Sequence, residues 1–112
     1  MSELQSTGLS VETIKKIQQV FSGYPEIDQV FLYGSRAKGD YRNGSDIDLT
    51  IMGDLLSQSQ LTRIENDLDD LLLPYKIDLC LYLTIENQDL VDHIQRVGIL
   101  FFKPGTDHGL LT

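Results

Sequence analysis

A small α/β domain with a mixed sheet is the fold class this sequence predicts, and three observations carry the prediction. Strand-like runs at 29–33, 46–52 and 76–82 alternate with segments of helical periodicity. A helical crossover over 57–73 joins the second run to the third, which favours a parallel pair. The first run ends in the turn Gly34-Ser35, and that turn meets the rim where the second run begins only if these two strands are antiparallel.

Taken in order, Ser10 reads as an N-cap, followed by Val11, Ile14, Ile17, Val20 and Phe21 at helical spacing. Gly23 and Pro25 stop that helix. Residues 29–33, QVFLY, are apolar on both faces, the pattern of a strand covered on both sides. The stretch RAK after Gly34-Ser35 opens a helical turn, and a polar loop, GDYRNG, leads into DIDLTIM. Here Ile47, Leu49 and Ile51 face one way, while Asp46, Asp48 and Thr50 face the other. Ser57 with Gln60 makes a capping box, and Leu61, Ile64, Leu68, Leu71 and Leu72 form the buried stripe of a helix over 57–73. Pro74 terminates it. KIDLCLY alternates again, with Ile77, Leu79 and Leu81 opposite Asp78, Cys80 and Tyr82. A last helix starts between Thr84 and Asn87, buries Leu90, Val91, Ile94 and Val97, and ends at Gly98. ILFF at 99–102 is a short edge strand, so the expected order is αβ(turn)βαβαβ.

A length of 112 residues fits one domain spanning the chain, with its core over about 10–103 and flexible ends at 1–9 and 104–112. No apolar run is long enough to cross a bilayer, and MSELQSTGLS lacks the basic start and apolar stretch of a signal peptide. Cys80 is the single cysteine, which excludes an intrachain disulfide and makes the cytoplasm the expected location. A net charge of -8, with nine scattered Lys and Arg residues, argues against a long nucleic acid as partner.

Asp46 and Asp48 open the second long strand, and Asp78 lies near the start of the third. Parallel pairing brings these three carboxylates to one rim. Alternate strand residues stand roughly 6.5 to 7 Å apart, close enough for their side chains to converge on shared metals. Aspartate oxygens suit Mg²⁺, which completes its octahedron with water and substrate phosphate. Two such ions would turn a negative rim positive, an environment for a triphosphate. Gly34 allows close backbone approach to a phosphate, Ser35 offers N–H and hydroxyl donors, and Arg36 and Lys38 lie near enough to add charge. A lone D-x-D or Gly-Ser is weak; their convergence with a third carboxylate is the signal. Elsewhere, Asp67, Asp69 and Asp70 read as a solvated helix face, and His93 and His108 lack partners at zinc-ligand spacing. Cys80 reads as a packed small residue, and Tyr33 and Tyr82 as rim-shaping or core residues with equal weight.

The signature G-S-x10-D-x-D stands here as Gly34, Ser35, ten residues, then Asp46 and Asp48, and "KIDL" supplies the third acid, Asp78. With its flanks in "GSRAKGDYRNGSDIDL", including Arg36, Ala37, Gly39 and Ser45, this resembles the nucleotidyltransferase superfamily of polymerase-β-like enzymes. The likeness is greatest to its minimal nucleotidyltransferases and spans nearly the whole chain. The resemblance implies a catalytic core acting on ATP or another nucleoside triphosphate. Asp46 and Asp48 would hold two Mg²⁺, Asp78 would complete the catalytic site and accept the acceptor's proton, and Gly34 and Ser35 would grip the β,γ-phosphates, with Arg36 and Lys38 assisting. It further implies an antitoxin that transfers AMP to a tyrosine of a HEPN-fold ribonuclease toxin. Two alternatives stand beside it. One is a non-catalytic nucleotide-binding module that neutralises its partner by direct binding. The other is nucleotide transfer to a small molecule such as an aminoglycoside, which normally needs an additional substrate domain.

Overall fold

Ser10 caps the first helix: its side chain accepts the Thr13 N–H at 3.0 Å, and α1 (Val11–Phe21) turns Ile14, Ile17 and Phe21 inward. The computed structural model describes residues 3–105. Within them β1 (Gln29–Tyr33) runs directly into α2 (Gly34–Lys38), a short helix closed by Gly39 in the left-handed conformation. Then come β2 (Ile47–Met52), α3 (Gln58–Asp69), β3 (Ile77–Leu81), α4 (Gln88–Val97) and β4 (Ile99–Phe102). Short 3-10 turns occupy Glu3–Thr7 and Tyr82–Thr84. The order agrees with the expected αβ(turn)βαβαβ, the turn being α2.

The sheet is mixed, in the order β3-β2-β1-β4. β2 and β3 are parallel, as the helical crossover required, and β1 is antiparallel to both β2 and β4. Register places Tyr33 opposite Asp48 and Asp48 opposite Asp78, so three neighbouring strands present these residues in one row. Val30, Leu32, Leu49 and Ile51 are buried on one face in a cluster with Ile17 and Phe21 of α1 and Ile64 and Leu68 of α3. By alternation Tyr33, Asp48, Thr50, Asp78 and Cys80 belong to the other face. There α4 packs on β1 and α2, burying Ile94 outside the main cluster.

Three expectations need correction. The helix expected over 57–73 stops at Asp69, ahead of Pro74, whose missing N–H and ring clash with the carbonyl four residues back cannot continue it. Leu71 and Leu72 N–H groups reach back to Leu68 and Asp69 carbonyls in tightened turns, and Leu72 takes φ 55 with 87% exposure instead of joining the stripe. On α4 only Ile94 is buried; Leu90, Val91 and Val97 are half-buried, since the helix covers only part of its face. Finally, the core begins before residue 10: Leu4, Thr7 and Leu9 are buried, with the Thr7 hydroxyl donating to the Leu4 carbonyl at 2.6 Å. Most of the tail expected over 104–112 lies outside the described residues.

The capping box of α3 is complete: the Ser57 side chain accepts the Gln60 N–H at 3.2 Å, and the Ser57 N–H donates to Gln60 Oε1 at 3.1 Å. Ser57→Ala is expected to cost about 1 kcal/mol, a Tm drop of several degrees, and Ser57→Thr to retain most of it. Thermal unfolding of the two variants checks this.

Candidate active site

Asp46 directly precedes β2, Asp48 is its second residue, and Asp78 is the second residue of β3. Their pairing has a direct consequence: one carboxylate oxygen from each of the three lies within 4.8 Å of the others. Asp46 and Asp78 are exposed, and Asp48 is half-buried. Burial, then the charges of Asp78 and Asp46, raise the Asp48 pKa above the ordinary carboxylate value, while Lys76 opposes them. Among the described residues none of the three is in an ion pair. A converging, all-oxygen, uncompensated donor set of this kind fits a hard divalent cation.

The turn that faces this cluster is built on Gly34. Its φ is +77°, and a Cβ there would collide with Asp48 Oδ2, so only glycine lets the chain pass so close to the carboxylate. Ser35 follows, half-exposed in the first turn of α2. Beneath the rim the Tyr33 hydroxyl lies 3.7 Å from Cys80 Sγ, and the Cys80 thiol donates to Thr50 Oγ1 at 3.3 Å. Burial first, then the Cys80 contact and the charges of Asp48 and Asp78, push the Tyr33 pKa up, so Tyr33 stays a neutral phenol beside the acids.

Arg36 departs from its expected place. It is 2% exposed; Nε and Nη2 donate to the Ser45 carbonyl, both at 3.1 Å, and Nη1 donates to the Thr7 carbonyl at 2.8 Å. Its guanidinium carbon lies 5.1 Å from the Tyr41 ring centroid and 4.9 Å from that of Tyr75. With 3.6 residues per turn, a side chain two positions after Gly34 points away from Gly34's face. Arg36 is therefore spent on tying the loop before Asp46 to the N-terminal segment, and it does not face the acidic rim. Lys38 is exposed and paired with Asp40 at 3.5 Å, a contact of little energetic weight.

His93 lacks partners at zinc-ligand spacing, and the fold brings it instead to the Gly34 turn. Its Nε2 accepts the Gly34 N–H at 3.0 Å, and its ring meets Tyr33 edge-on at 6.1 Å between centroids. Burial, then the charges of Arg96 and Lys38, lower its pKa. No local pattern marks this residue, because the contact spans 59 positions and depends on how α4 lies over β1. The bland readings elsewhere agree with the geometry. Asp69 and Asp70 are exposed, Asp67 accepts the Tyr24 hydroxyl at 2.5 Å, and Tyr82 takes a bond from Gln95 at 3.1 Å. His108 lies outside the described residues. A cavity of about 420 Å³ between α3 and β3 touches the acidic trio only at Asp78.

Residues 15–106 match the family described as polymerase beta, nucleotidyltransferase. The chain belongs to this family. Among curated proteins, one from Methanocaldococcus jannaschii, named as a candidate protein adenylyltransferase, is 32% identical over 82% of this chain and 74% of its own length. Among solved structures, one chain of a toxin–antitoxin crystal structure with AMP-PNP aligns with TM-score 0.66 and 20% identity, covering 82% of this chain and 74% of that one. A chain from the complex of tri-AMPylated Shewanella oneidensis HEPN toxin with MNT antitoxin aligns with TM-score 0.61 and 18% identity, over 82% and 71%. At these identities the likeness to the solved structures is one of fold. The nucleotidyltransferase fold thus comes with three converging aspartates at the rim of its sheet, and among the described residues no helix is long and apolar enough to cross a membrane.

Proposed function

We propose that this nucleotidyltransferase transfers AMP from ATP to a tyrosine of a HEPN-fold toxin, acting as a cytoplasmic antitoxin. The observation that carries this reading is the meeting of Asp46, Asp48 and Asp78, oxygens within 4.8 Å, against the Gly34-Ser35 turn. The proteins named above, an adenylyltransferase candidate and an antitoxin in complex with an AMPylated HEPN toxin, support the choice of AMP and of acceptor. Asp46, Asp48 and Asp78 would hold Mg²⁺, two ions in our reading. Bound there, Mg²⁺ supplies a lowered pKa at the acceptor hydroxyl and charge neutralisation for departing pyrophosphate.

The chain's own residues do the rest. Ser35 offers its N–H and hydroxyl to the β,γ-phosphates, beside a glycine that leaves them room. Exposed Lys38 adds long-range attraction for the triphosphate. Asp78, at the open edge of the trio, takes the proton as the tyrosine oxygen bonds to the α-phosphorus and the α–β phosphoanhydride bond breaks. The test is incubation of the protein with α-labelled ATP, Mg²⁺ and the HEPN-fold product of an adjacent gene. Label on a partner tyrosine, lost on adding EDTA, is the expected result. Tight binding without label would select the non-catalytic module instead.

A further inference from the structure

We propose that His93 is a positioning residue for the nucleotide site: its imidazole holds the Tyr33–Gly34 peptide so that the Ser35 donors face the phosphates. The inference rests on the nucleotide reading above. The Gly34 N–H is the first free donor of α2, and it is spent on His93 Nε2 at 3.0 Å. An accepting Nε2 requires a neutral ring with its proton on Nδ1. Partial burial, then the charges of Arg96 and Lys38, favour that state. The ring cannot swing freely, because Tyr33 meets it edge-on and α4 is fixed at its start by the Asn87 side chain, which accepts the Asp89 N–H at 2.8 Å. Gly34 itself has no side chain to restrict its backbone, which takes φ +77°, so its hydrogen bond to His93 adds a restraint where the chain leaves the strand. The same peptide sits against Asp48, so tilting it moves the turn relative to the acidic trio. His93 thus connects a helix on the far side of the sequence to the spacing between phosphate donors and carboxylates. It acts through Gly34, not by touching the nucleotide.

The test compares His93→Ala with His93→Gln, whose Oε1 can take the place of Nε2 as an uncharged acceptor. ATP with Mg²⁺ is titrated calorimetrically into the full-length wild type and both variants, alongside Tm and AMP-transfer kinetics. His93→Ala is expected to weaken ATP binding about tenfold and to raise KM more than it lowers kcat, the scale of one misdirected hydrogen bond. His93→Gln is expected to restore binding to within about twofold, whatever its Tm. Wild-type affinity in His93→Ala, or equal weakening in both variants, overturns the inference. Tighter binding by His93→Ala also overturns it, since His93 would then compete with the nucleotide for the Gly34 N–H. Absence of ATP binding by the wild type would overturn the nucleotide reading, and this inference with it.

Discussion

Asp48→Asn is expected to do two opposite things: reduce Mg²⁺-dependent nucleotide transfer by about a thousandfold or more, and make the metal-free protein more stable at neutral pH. The first follows from removing a charged member of a three-oxygen site. The second follows from its electrostatics. Burial and the neighbouring Asp78 and Asp46 charges raise the folded-state pKa of Asp48 above its unfolded value. A folded state that holds the proton more tightly gains stability at pH below the unfolded pKa and loses it as pH rises through the folded pKa. At pH 7 to 8 the ionised carboxylate is therefore a burden on the fold, and the isosteric amide lifts it. The Tm gain of Asp48→Asn over wild type should be close to zero near pH 3 and grow to a plateau above the folded pKa. Saturating Mg²⁺ should reverse the ranking, stabilising the wild type and leaving the variant almost unmoved. Differential scanning fluorimetry at the two pH values, with EDTA and with Mg²⁺, resolves all four states. A variant no more stable than wild type at pH 8 in EDTA would sink the electrostatic account, and unimpaired transfer would sink the functional one.

What could be read from the sequence, and what could not, divides along a physical line. Period-two alternation puts Asp46 and Asp48 on one strand face whatever the tertiary structure does. The helical crossover then forces the parallel pairing that sets Asp78 opposite Asp48. These are local or topological facts, and both appear in the structure. The places of Arg36 and His93 are not legible in the sequence, for the opposite reason. A five-residue helix has no repeated pattern from which to read its buried side, so the inward turn of Arg36 emerges only when Thr7, Tyr41, Ser45 and Tyr75 surround it. The approach of His93 to Gly34 depends on helix packing across more than half the chain. Leu72 lies between two competing patterns: hydrophobic periodicity continues the helix, while Pro74 two residues on cannot be built into it.

Arg36→Ala is expected to be the most destabilising single change among the residues around the site, although the sequence places Arg36 in the nucleotide motif. Truncation leaves the Ser45 and Thr7 carbonyls without their donors and removes the cation between two tyrosine rings. Together these losses should cost about 3 kcal/mol or more, a Tm fall of roughly 10–20 °C. Arg36→Lys should recover less than half, because one ammonium cannot replace the guanidinium fork that reaches two carbonyls. The functional consequence runs through geometry. Ser45 immediately precedes Asp46, so the Arg36 bonds to its carbonyl fix where the first carboxylate emerges. Arg36→Lys, assayed well below its Tm, should therefore lose Mg²⁺ affinity along with stability, whereas a phosphate-gripping arginine would predict something else. In that case Arg36→Ala would keep its Tm and lose ATP affinity alone, and the nucleotide role would be restored. The burial of the guanidinium argues for the first outcome: a group 2% exposed, its donors already committed to backbone carbonyls, has nothing left to offer a triphosphate in solvent.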